Sequence, residues 1–100
     1  MPMMCGGTSE SKPATDEVQQ ICNKVKPKAE EHAAKTFAVF AAKEFKTQVV
    51  AGTNYFIKVH VGGDEYLHLR VHKPLPHENK PVSLHSVQTN KTQHDEIVYF

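Results

Sequence analysis

An α+β fold, one long α-helix wrapped across a four- to five-stranded antiparallel sheet, follows from three observations on the sequence. Apolar residues recur at helical spacing over residues 15–35. From Phe37 onward the apolar period changes to two, as strands require. The strand-like runs are joined by the short connections "VVAG", "GGD" and "PLPHENKP", which suit a meander. A chain of 100 residues accommodates one domain of this kind and buries a modest core without disulfides or metal.

The helix is read first. Val18, Ile21, Cys22, Val25, Ala29, His32 and Ala33 fall in one stripe at 3.6-residue spacing, and Gln20, Lys24, Lys26, Glu30, Glu31 and Lys35 lie outside it. Thr15 is the expected N-cap, and Asp16 and Glu17 suit the positive end of the helix dipole, with Val18 preventing a full capping box. An interior proline costs roughly 3 kcal/mol, but Pro27 falls opposite the apolar stripe, so any bend curves the helix around what it packs on. Ahead of the helix, residues 1–13 are rich in Gly, Ser and Pro and read as a mobile tail, leaving 14–100 as a single domain.

The strands follow as "FAVFAAKEFKTQ", "TNYFIKVHV", "EYLHLRVHK" and "VSLHSVQT". In the first, Phe37, Val39 and Phe45 point one way and Phe40 the other, which predicts a bulge over 41–43. Between the second and third, Tyr55, Ile57, Val59 and Val61 share a face with Leu67, Leu69 and Val71 only if Val59 opposes Leu67. A three-residue loop at 62–64, pairing Val61 with Glu65, gives that register.

This connectivity has a consequence at one end of the sheet. Successive turns of a meander alternate between ends, so the 48–52 and 74–81 turns are neighbours. A helix of ~30 Å, at about 1.5 Å per residue, matches the length of a nine- or ten-residue strand and returns its start to that same end. The tail thus emerges beside the two tips, and three segments with uncovered apolar residues converge: Met3 and Met4, Val49 and Val50, Leu75 and Pro76. Exposed apolar patches of this kind mark a partner surface.

"QVVAGTNYFIKVHVGGDEYLHLRV", then "LPHENKP", with "MMCGG" near the start and a terminal "YF", resembles the stefins, the intracellular branch of the cystatin family, over nearly the whole chain. The resemblance implies a cystatin-like fold and tight, reversible inhibition of papain-like cysteine proteases, the cathepsins of B, H, L and S type and papain itself. It implies a protease-binding set made of Met4, Cys5 and Gly6 in the tail, Gln48, Val49, Val50, Ala51 and Gly52 in the first hairpin, Leu75, Pro76 and His77 in the second, and Tyr99 near the C-terminus. Gly7 adjoins Gly6 at the expected pivot of the tail. The logic is steric: a blunt hairpin tip fills a V-shaped cleft without presenting a cleavable carbonyl.

Other classes fit less well. A net charge of +1 argues against nucleic acid or an anionic membrane as partner. The N-terminus lacks the basic and apolar regions of a signal peptide and no run reaches transmembrane length, so the expected address is the cytoplasm, with the nucleus also open to it. The seven histidines are scattered, and Lys58 opposite His68 is a poor neighbour for a metal cation; neither metal nor cofactor is expected. A Cys/His hydrolase fails because Cys22 reads as buried and Cys5 as unanchored. The surviving alternative to an inhibiting monomer is a self-associating module, exchanging helix and first strand with a second copy or linked through Cys5, and the exchanged form loses the "VVAG" tip.

Overall fold

The computed structural model describes residues 10–100. Helix α1, Asp16–Ala33, starts at Thr15, whose Oγ1 accepts the Val18 N–H at 3.2 Å, with Asp16 and Glu17 in its first turn. It ends two residues short of expectation. Ala34 turns left-handed (φ 60°), and the Ala34 and Lys35 N–H groups fold back to the Glu31 and Glu30 carbonyls at 3.3 and 3.2 Å, a Schellman closure formed without glycine. Val18, Ile21, Cys22, Val25 and Ala29 are buried and Pro27 is exposed, as the stripe requires. His32 departs from it: lying in the last turn, it is exposed.

Five strands form one antiparallel meander in sequential order: β1 Lys12–Pro13, β2 Ala41–Val50, β3 Gly52–Gly62, β4 Glu65–Lys73 and β5 Ser83–Lys91. Strand β1 belongs to the segment read as tail; Lys12 pairs with Phe45 and Pro13 with Glu44. The first long strand starts at Ala41, not Phe37. Phe37 and Phe40 lie in an irregular connection where alternation no longer applies; both are buried, their ring centroids 5.9 Å apart, while Val39 is 40% exposed and does not share a face with Phe37. The helix supplies the hydrogen bonds a ladder would. Gln19 Nε2 donates to the Phe40 carbonyl at 2.9 Å and its Oε1 accepts the Ala42 N–H at 2.8 Å. The expected bulge follows, with the register shifting between Ala42 and Glu44.

Val59 opposes Leu67 as expected, but the turn is built differently: Gly62 pairs with Glu65, the turn is Gly63–Asp64, and Val61 is the extra residue of a bulge rather than the partner of Glu65. Gly62 (φ 119°) and Gly63 (φ 53°) adopt conformations that other residues rarely take. A bulge and a third loop residue have the same parity, so both put the same side chains on the core face.

Two salt bridges orient the helix on the sheet. Glu17 Oε2 meets Lys73 Nζ at 2.6 Å beside the β4–β5 turn, and Lys35 Nζ meets Glu65 Oε2 at 2.7 Å beside the 62–64 turn. The hydrogen bond to Glu17 also raises the Lys73 pKa. Exposed pairs like these contribute little stability, about 0–1 kcal/mol, but they fix the helix start at the end carrying the two tips.

Residues 92–100 form a strap over the face opposite the helix. Lys58, Lys46 and Arg70 donate to the carbonyls of Gln93, Ile97 and Phe100, each at 2.6 Å. Ile97 is buried, and Phe56, fully buried, lies between the rings of Tyr99 and Phe100 at 5.5 and 5.8 Å. Also on this face, His68 is fully buried with no hydrogen bond at either ring nitrogen. Burial first, then the charges of Lys58 and Lys91, push its pKa down to about 4.

Candidate functional site

At one end of the sheet two turns project apolar groups into solvent. The β2–β3 tip is tight: Val49 pairs with Thr53 and Val50 with Gly52, leaving Ala51 at the apex. Val49 is 77% and Val50 43% exposed, and Ala51 is also exposed. Two β-branched residues held so openly at a strand end are not serving the core, and the burial they forgo is about 1.5–3 kcal/mol each.

Gly52 explains how the two tips approach each other. Its φ is 102°, and a Cβ there would come within 2.4 Å of the Lys73 carbonyl oxygen and 3.2 Å of Pro74 Cα. Backbone meets backbone at this point, so only glycine lets the β2–β3 tip lie against the start of the β4–β5 connection.

The second tip is stiffened by its own short-range bonds. A 3-10 turn, Pro76–Glu78, follows Leu75; the Glu78 N–H donates to the Leu75 carbonyl at 3.0 Å, and the Leu75 N–H donates to Glu78 Oε2 at 3.3 Å. Proline at the first turn position has its φ already set. Leu75 is 37% exposed, and Pro76 and His77 are exposed beside it.

The remaining residues of the expected set are placed as follows. Gln48 is only 6% exposed and lies beneath the tip, its Oε1 accepting from Asn54 Nδ2 at 2.9 Å. Tyr99 is 57% exposed on the strap face, packed against Phe56 and the Arg70 guanidinium, whose carbon is 5.3 Å from its ring centroid. Met4, Cys5 and Gly6 lie outside the described residues. Strand β1 runs antiparallel to β2, so that Lys12, the earlier of its two residues, is the one nearer the Val49–Val50 end.

Chemistry is sparse in this region. Burial pushes the Cys22 thiol up to about 12, so it is not a nucleophile, and among the described residues no three His, Cys, Asp or Glu side chains converge as metal ligands. No helix among the described residues is long and apolar enough to cross a membrane. Asn54, not singled out in the sequence, and His72, read there only as one of the scattered histidines, stand with Gln48 in one rung across β2, β3 and β4. The register named them in principle, but polar residues on the non-core face are ordinarily solvated and gave no signal.

A helix laid on a five-stranded meander, with two exposed apolar tips side by side at one end of the sheet, presents a binding surface. Residues 6–94 match the family model of the cystatin domain, and the chain belongs to the cystatin family. It is 61% identical to Cystatin-B of Bos taurus, 60% to that of Sus scrofa and 58% to that of Homo sapiens, in each case over 98 residues that make up 98% of this chain and all of the relative. Within the family the similarity is to the stefin branch.

Proposed function

We propose that this chain inhibits papain-like cysteine proteases, including cathepsins of the B, H, L and S type, by seating three segments in the active-site cleft. These are Val49, Val50 and Ala51 of the first tip, Leu75, Pro76 and His77 of the second, and Met4, Cys5 and Gly6 of the N-terminal segment, with Tyr99 reaching the rim. The observation that carries this reading is the pair of stiff, exposed apolar tips side by side at one end of the sheet, Val49 at 77% and Leu75 at 37% exposure.

The tips act by occupying space. Neither lays an extended peptide across the nucleophile, so the protease thiolate finds no carbonyl to attack. If Met4, Val49, Val50 and Leu75 are each buried on binding, they contribute roughly 6–12 kcal/mol in all. That is comparable with the 4–15 kcal/mol that association costs. Affinity therefore rests on how little has to be ordered at the moment of contact, and the sheet holds both tips in place beforehand.

Titration of active papain with the monomer tests the reading. The expected result is stoichiometric, reversible inhibition, with the inhibitor recovered uncleaved and no metal required. Absence of inhibition by a verified monomer overturns it, and inhibition lost only on dimerisation identifies exchange of the first hairpin as the competing state.

A further inference from the structure

Directly beneath the first tip, Gln48, Asn54 and His72 occupy facing positions on β2, β3 and β4, with Asn54 opposite both of the others. Gln48 and Asn54 are each only 6% exposed. Buried amides are costly unless bonded, so the direction of their hydrogen bonds is constrained. Asn54 Nδ2 donates to Gln48 Oε1 at 2.9 Å, which leaves Asn54 Oδ1 as the acceptor facing His72 Nδ1, also at 2.9 Å. His72 must then carry its proton on Nδ1. The ring also lies close to the tip: a Cβ on Gly52 would sit 3.1 Å from His72 Cε1.

We propose that His72 is a positioning residue for the β2–β3 tip, setting the orientation of Val49, Val50 and Ala51 through Asn54 and Gln48 without itself contacting a protease. The inference rests on the inhibitor reading above. Val49, Val50 and Ala51 are exposed and so have little packing of their own. Its direction is set by the rung from which its two strands leave. The His72 N–H fixes the Asn54 amide, the Asn54 amide fixes Gln48, and the imidazole lies under Gly52. A tip loosened at this rung has to be ordered on binding, and that cost shows in dissociation rather than in encounter.

The test compares the wild type with His72→Phe, which keeps a ring but removes the donor and leaves Asn54 Oδ1 unpaired, and with His72→Asn, which returns an amide nitrogen near the Nδ1 position. With papain as probe, His72→Phe should dissociate at least fivefold faster at an unchanged association rate, and backbone amide exchange over residues 50–53 should accelerate. His72→Asn should restore both to within about twofold. In the free wild-type protein, nitrogen NMR should show the proton on Nδ1. Wild-type dissociation and exchange in His72→Phe, or a proton on Nε2 in the wild type, overturns the proposal. If His72→Phe does not fold, the tautomer decides. Should the wild type fail to inhibit papain at all, the inhibitor reading falls, while the exchange rates and the tautomer still settle whether His72 holds the tip.

Discussion

His68 concentrates a pH dependence in one side chain. It is fully buried, bonded at neither nitrogen, and faced by Lys58 from β3, Lys91 from the end of β5 and Asp95 from the strap, with Gln88 beside it. Its pKa falls from the ordinary 6.5 to about 4. The sign follows from which state takes up the proton. Above pH 6.5 the ring is neutral in both states. Between 6.5 and about 4 the unfolded chain protonates and the folded chain does not, so acid progressively favours unfolding, by on the order of 3 kcal/mol once pH 4 is reached. Urea unfolding of wild type and His68→Gln at pH 7 and pH 4.5 checks this: the wild type should lose about 2–3 kcal/mol more than the variant on acidification, and an identical loss in both would assign the effect to other groups. The residues of the proposed site show a related contrast. Val49, Val50 and Leu75 stand out because apolar residues beside a glycine or between prolines are conspicuous in sequence, whereas Asn54 and His72 carry no local signature and become a pair only through the register of three strands.

Among the elements, α1 and the four long strands β2, β3, β4 and β5 were legible because each carries a periodic apolar face toward the core, and periodicity reports that directly. Strand β1 was not, since two residues have no period, and the Phe37–Phe40 connection was misread as strand because alternation was extended where the backbone is irregular. What replaces the ladder at that connection is a side chain. Gln19 answers both the Phe40 carbonyl and the Ala42 N–H, and its Nε2 also reaches Asn23 Oδ1 at 2.9 Å. Replacing Gln19 with Leu keeps the bulk and the helix propensity but leaves those two backbone groups unanswered at the start of β2. The expected loss is about 2 kcal/mol, a fall in Tm on the order of 10 °C. A Tm within 2 °C of wild type would show that water takes over both bonds.

At the scale of the molecule, the fold separates the core that holds it together from the edge proposed to bind. The core lies between α1 and the sheet, the strap seals the other face, and the tips stand beyond both. Strand β1 marks where the N-terminal segment joins this body, through the Lys12 and Pro13 pairings and the Ala14 N–H bond to the Lys43 carbonyl at 3.0 Å. Removing residues 1–6 leaves Lys12, Pro13 and Ala14, which make these bonds, in the chain. Gly6→Arg introduces a large charged side chain where the proposed mode of binding calls for close backbone approach. Both changes should therefore leave Tm within about 2 °C of wild type and the association rate with papain nearly unchanged, while dissociation accelerates by tenfold or more. Stopped-flow association and displacement assays on the two variants separate these rates. Equal dissociation from the full-length and shortened chains would confine the wedge to the two hairpin tips. A fall in Tm would instead make the N-terminal residues part of the folded body.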